Sequence, residues 1–259
     1  MDVGIRTLAE QDISVLSTTQ NTQLGAVGVT ADGRRYRYVK FGGTATVAPG
    51  LIVTAAATTA AYQGLAITAV GTGGQVTANL ANGSTQIVVT NGATSITADQ
   101  FAEGFIDLIV GGAAADTGHY TYKVKGNTAA GNAATFTVYL AEPLRNTTAL
   151  VAGTDTANLT ISPYSAVVTS TTAAVPVGLT IVPVPNTATV TNYGWVQTHG
   201  IALVLNDAGG TITVGGGFAQ SVTTAGNVVA STASTAPILG YTRKAITASN
   251  AGPVVLNIA

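Results

Sequence analysis

The chain has 259 residues, of which 46% are apolar and only 8% are Asp, Glu, Lys or Arg, with a formal net charge of −1. Soluble domains carry about 25% charged residues, so most of this surface must be neutral, and the apolar content excludes the low-hydrophobicity, high-charge signature of disorder. The absence of cysteine excludes disulfides, thiol catalysis and Cys-ligated zinc, and leaves a covalent structure indifferent to redox compartment.

In chain order, the first segment, "MDVGIRTLAEQD", has an acid at Asp2 and no apolar leader core, so synthesis and assembly in a cytoplasm are expected. Helical periodicity over 5–16, "IRTLAEQDISVL", predicts a short helix within an N-terminal arm, residues 1–24. The stretch "ADGRRYRYVKFGG" (31–43) follows, with four of the ten basic residues of the chain. Asp32-Gly33 predicts a turn and 34–41 a strand. Strands are predicted next at "TQIVVT" (85–90), "FIDLIV" (105–110), "HYTYKVKG" (119–126) and "ATFTVYL" (134–140). Further along come "GLTIVPV" (178–184), "GWVQTHGIALVL" (194–205), "TITVGG" (211–216) and "PVVLNIA" (253–259). Their Thr, Val and Ile content is that of pleated structure, and Asn82-Gly83, Asn91-Gly92 and Gly209-Gly210 mark turns. A second short helix is predicted over 97–104, "TADQFAEG", with Thr97 or Asp99 as its cap.

The fold class this predicts is all-β: a β-barrel or β-tulip-like module with an inserted second β domain and an extended N-terminal arm. Residues 25–60 form the first part of the barrel module, 61–162 the inserted domain, and 163–259 the remainder. Pro143 and Pro163 interrupt pairing near the end of the insertion. Residues 41–98 and 156–206 contain no Asp, Glu, Lys or Arg. Both are broken by Gly, Pro, Asn and Thr, no run approaches the ~18 to 20 apolar residues of a spanning helix, and there are no aromatic girdles, so a membrane is not an expected partner. Sheets guard their edges with charges, above all Lys. This chain has four Lys, at 40, 123, 125 and 244, so barrel closure and packing between subunits are expected to hide its edges.

In the basic strand the two-residue period puts Arg35, Arg37, Val39 and Phe41 on one face and Tyr36, Tyr38 and Lys40 on the other. Arg and Tyr together suit a protein interface, and they also suit nucleic acid, which stacks on Tyr and neutralises on Arg. Phosphate binding needs cations gathered into a patch, and only six lie outside this strand segment, so protein docking is the expectation and nucleic acid is not. The residues expected at a partner or subunit interface are Arg34, Arg35, Tyr36, Arg37, Tyr38 and Lys40.

Catalytic groups are sparse. His119 and His199 fall in different expected modules. Asp207 follows His199 by eight residues and could meet it across a hairpin, but no Gly-x-Ser-x-Gly elbow accompanies them. "DTGH", with Asp116 and His119 and with Asp107 nearby, supplies fewer than the three or four ligands of a stable metal site. No spacing singles out a carboxylate pair. "GTGG" (71–74) and "VGGG" (214–217) lack the phosphate-cradling spacing and read as turns. The sequons at Asn82, Asn146 and Asn158 are expected by chance in a Thr-rich chain. Trp195 reads as core. Neither enzyme activity nor a cofactor is expected.

The order of "DGRRYRYVKFGG", "VAPG", "ADQFAEGFIDLIVGG", "GHYTYKVKGN", "YGWVQTHGIALVL" and "APILGYTRKAITASNAGPVVLNIA" resembles that of the head decoration, or cement, proteins of tailed bacteriophages. The C-terminal pattern carries most of it: the Leu239-Gly240 step, Ala245, and a closing apolar strand from Val254 to Ile258. The resemblance implies a virion structural protein that binds the outer surface of an icosahedral capsid. Such a protein bridges neighbouring capsomers, commonly as a homotrimer at local three-fold positions, with the major capsid protein and its own copies as partners. The family has no catalytic residues to carry over. Small members lack a central block, so residues 61–162 would be an added outward-facing domain, and the basic strand and the arm would meet the capsid. A competing expectation is a tail or fibre component binding a host glycan, with Tyr and Trp lining a groove. A bacterial adhesion module is disfavoured by the missing export signal.

Overall fold

The structure is a computed structural model describing residues 5–43, 45–70, 83–111, 118–145, 150–171, 174–185, 191–231 and 237–258. It divides into two compact units, one formed by residues 1–57 with 163–259 and the other by 58–162. Among the described residues no helix is long and apolar enough to cross a membrane.

The first segment of the flanking unit holds β1 (Arg6–Leu8), a one-turn helix α1 (Glu10–Ile13), β2 (Val27–Thr30), β3 (Arg35–Lys40) and β4 (Ile52–Thr54). The inserted unit holds β5 (Leu65–Val70), β6 (Gln86–Thr90), β7 (Phe105–Val110), β8 (Gly118–Asn127), β9 (Thr135–Leu140) and β10 (Thr156–Thr160). The chain then returns to the flanking unit with β11 (Pro176–Thr180), β12 (Tyr193–Leu205), β13 (Gly217–Gln220), β14 (Val228–Ala230), β15 (Gly240–Thr242) and β16 (Ala251–Asn257).

The closed barrel is the inserted unit, its strands in the order β10-β5-β6-β9-β8-β7 with β10 pairing β7 to complete the ring. Alternation builds it. Ile87 and Val89 on β6, Ile106, Leu108 and Val110 on β7, and Phe136, Val138 and Leu140 on β9 point inward and are buried, while the intervening positions are partly or fully exposed. Phe101 fills the interior, edge-on to Tyr62 at 4.9 Å and stacked with Phe136 at 6.4 Å. Residues 97–104 pass through consecutive turns in place of the expected helix. Asp99 and Glu103 take left-handed φ values of 56° and 61°, and Asn127 Oδ1 accepts a bond from Phe101 N at 2.9 Å. Burying Phe101 with its N–H satisfied from outside the segment outweighs a weak local helix propensity.

The flanking unit is a ten-stranded sheet, in the order β1-β2-β3-β12-β16-β15-β13-β14, with β11 and β4 branching from β12. Its spine is β12. It pairs antiparallel with β3 on one edge, with a register shift between Gln197 and His199, and on the other edge with β11 and then, from His199 on, with β16. Gly200, just past that bulge, has φ +95°, and a Cβ there would meet Arg34 Cγ at 2.8 Å. Three buried clusters line the sheet, around Phe218, Val254 and Leu256; around Val39, Phe41 and Val196; and around Tyr36, Tyr38 and Trp195. The described part of the N-terminal arm lies on this unit: β1 runs parallel to β2, and Leu8 and Ile13 join the third cluster. Residues 211–216 make a single bridge, Ile212 to Ile246, before turning at Gly215 with φ 71°. They do not form the expected strand.

The sheet's outermost strands, β1, β4 and β14, are three residues each, and very short edge strands are one way proteins blunt an edge. Closure removes the edges of the inserted unit. Barrel closure, one of the two devices expected from the lysine count, is thus present, and the sheet adds short outer strands to it.

Gly200→Ala should cost about 1–3 kcal/mol, the range for a non-Gly residue forced into left-handed backbone. Gly131, with no atom within 4 Å of an added Cβ, should accept Ala at less than ~0.5 kcal/mol, as surface positions do. Urea denaturation of both variants checks this, and equal losses would contradict the role given to the bulge.

Candidate interaction surface

The basic strand begins with a hairpin. Gly33, at φ +85°, closes a turn in which Gly33 N donates to Thr30 O at 2.9 Å, and β2 and β3 pair across it. Arg34 is neutralised here: its Nε donates to Asp32 Oδ2 at 2.6 Å, and it pairs with Glu10. The Thr30 hydroxyl and the Arg34 guanidinium hold the Asp32 carboxyl down at about 2.

From Arg35 on, the two-residue alternation is present, but both faces are covered for much of the strand. Tyr36 and Tyr38 are buried against Leu8, Ile13 and Trp195, and burial pushes the Tyr36 phenol up to about 12. Val39 and Phe41 are buried on the other side. The two tyrosines are core residues within this chain, and their side chains do not present a surface. Arg37 is partly buried, donating to Gly25 O at 2.9 Å with its guanidinium 5.6 Å from the centre of the Tyr164 ring. Lys40 is half-buried and Arg35 exposed, and neither forms an ion pair among the described residues.

Beyond the bulge the sheet presents a different face, which register defines row by row. Arg35 on β3 stands opposite His199 on β12, and His199 opposite Asn257 on β16. The next row on this face is Ile201, Val255, Tyr241 and Gly217, across β12, β16, β15 and β13. The row after that pairs Leu203 with Pro253, whose carbonyl accepts from Arg243 N at 3.1 Å. The alternate residues, Ala202, Val204, Val254 and Leu256, face the core. Ile201 is 55% exposed, Leu203 57%, Tyr241 52% and Val255 42%. A solvated face of an antiparallel sheet is ordinarily polar. This one is apolar across three strands.

The remaining chemistry is structural. His199 Nδ1 lies 3.0 Å from Thr198 Oγ1. Asp207 is instead held by Ser221 Oγ at 2.6 Å, Thr223 Oγ1 at 2.8 Å and Gly209 N at 2.7 Å. Burial alone would raise its pKa, but these bonds outweigh it and hold the carboxyl below its ordinary value. Among the described residues no three His, Cys, Asp or Glu cluster to hold a metal; Asp116 lies outside them, as do the sequons at Asn82 and Asn146 and the "GTGG" glycines. Asn158 Oδ1 accepts from Gly64 N at 2.8 Å. A cleft of about 540 Å³ is lined by Arg6, Leu8, Asp12, Asn21, Tyr38 and Trp195. Its two rings pack edge to face at 5.1 Å and are nearly fully buried, so they offer no open platform on which a sugar could stack.

No family model, curated protein or solved structure matches this chain.

The His199 pKa is lowered by burial and then by the Arg35 and Arg37 guanidiniums, against a hydrogen bond with Asn257. Below the ordinary value of about 6.5 the unfolded chain takes up a proton at this site before the folded one, so stability falls as pH drops through that value. His199→Gln should flatten the dependence of unfolding free energy on pH between about 7.5 and 5.5. An NMR titration of His199 with a midpoint above the free-histidine value would contradict this.

Proposed function

We propose that the protein is a virion structural protein that binds the outer surface of an icosahedral phage capsid and stabilises it by bridging neighbouring capsomers, acting as a trimer. The observation that carries this reading is the apolar outer face around Ile201, Leu203, Val255 and Tyr241. Contiguous exposed apolar patches of this kind mark interaction sites, and large apolar faces belong to lasting interfaces more than to transient ones. The likeness in segment order to decoration proteins supplies the kind of partner: the major capsid protein, on the exterior of the particle, after assembly in the host cytoplasm. Nucleic acid does not enter this reading, because within the basic strand Arg34 is neutralised by Asp32 and Glu10 and Arg37 is partly buried, so the strand offers no continuous phosphate track.

Protein added to particles assembled without it should co-sediment with them, raise their resistance to heat, and appear in images as density between capsomers on the head. Density confined to the tail or its fibres, or no binding, would contradict the reading. Light scattering should give three times the chain mass, and a monomer at all concentrations would remove the trimer.

A further inference from the structure

The apolar face has charges at its margins, and their sign is uniform. Arg35 stands in the row on one side of Ile201 and Val255, on strand β3, while Arg243 stands in the row on the other side, at the end of β15. The two arginines thus occupy diagonally opposite corners, with backbones on the order of 20 Å apart given the strand spacing and rise. Both are exposed, and neither forms an ion pair among the described residues. Lys244, also exposed, adjoins the second corner.

The described carboxylates of the same unit are engaged within the chain. Glu10 and Asp32 pair with Arg34, Asp12 Oδ2 accepts from Ala9 N at 3.0 Å, and Asp207 is held by Ser221, Thr223 and Gly209. By formal charge the flanking unit has seven cations and five acids, and the inserted unit three cations and six acids. A two-fold contact places the same patch on both sides, so this face laid on its own copy would offer its arginines no carboxylate from the face itself.

We propose that this face docks a protein whose contact strip is apolar and carries carboxylates beyond both ends, placed to meet Arg35 and Arg243. The inference rests on the reading above, in which that protein is the major capsid protein. Apolar burial around Ile201 and Leu203 supplies affinity, and the two corner charges fix orientation and speed encounter.

The test uses particles from a phage whose gene for this chain has been deleted, with purified wild-type and variant protein, read by co-sedimentation. Ile201→Asp with Leu203→Asp should reduce affinity for the particles at least ~tenfold, as loss of a central apolar anchor does. Both positions are exposed, and circular dichroism with thermal melting confirms that the variant is folded. Arg35→Glu with Arg243→Glu, which touches no core group, should weaken binding about tenfold and reduce its salt dependence. Arg35→Lys with Arg243→Lys should restore most of it. Wild-type protein that binds while all of these variants bind equally well would overturn this docking face and leave the capsid reading standing. Wild-type protein that does not bind would overturn the capsid reading and the partner assigned here with it. If Ile201→Asp with Leu203→Asp lowers the mass in solution relative to wild type, the face belongs to a second copy, which meets it through its acid-rich inserted unit, and the proposal is wrong.

Discussion

A β-sheet with few ionic side chains must dispose of two things: the unpaired backbone along its edges and whichever face the core leaves bare. Much of the edge is dealt with inside the chain. The insertion closes on itself through the pairing of β10 with β7, and the ten-stranded sheet tapers to three-residue strands at β1, β4 and β14. The faces are treated unequally. Along β3 both sides are covered, by the N-terminal segment on one and by residues such as Val47, Val167 and Val184 on the other. Beyond the bulge in β12 only one side is covered.

That bulge connects the architecture to the surface. A single strand of 13 residues runs from Tyr193 to Leu205, and its register against β3 shifts at Gln197 to His199, where on the opposite edge β11 gives way to β16. The side chain of Gln197, turned inward, donates to the carbonyls of His199 and Ile201 at 3.0 and 2.9 Å and pins the strand where it changes partners. Without the shift, His199, Ile201 and Leu203 would swap faces with Gly200, Ala202 and Val204, since one residue of slip inverts a strand. The exposed apolar face is thus a consequence of one inserted residue, and bulges commonly re-aim side chains at functional sites.

Much of the fold was legible in the sequence because the strands alternate: "TQIVVT", "FIDLIV" and "ATFTVYL" each put their buried residues where the two-residue period places them. What misled was context. "TADQFAEG" has a helical period, but Asn127, 26 residues away from Phe101, decides its backbone. Tyr36 and Tyr38 share one face of β3 as the alternation requires, yet whether that face meets water depends on Leu8 and Ile13 folding over it. The face around Ile201 gave no signal of its own. "IALVL" reads only as part of a strand, and the rows joining Ile201 to Val255 and Val255 to Tyr241, set by pairings across 54 and 14 positions of sequence, are what show a continuous open surface. Arg243 enters the site the same way, through a backbone bond to Pro253.

The central claim is that the face carrying Ile201, Leu203, Tyr241 and Val255 is covered when the protein is at work. Hydroxyl-radical footprinting of the isolated protein and of the same protein on intact particles tests it most directly. Oxidation at these four side chains should fall sharply on the particle, while that of the exposed Val151 in the inserted unit stays unchanged. Equal labelling of the four residues in both states would contradict the account.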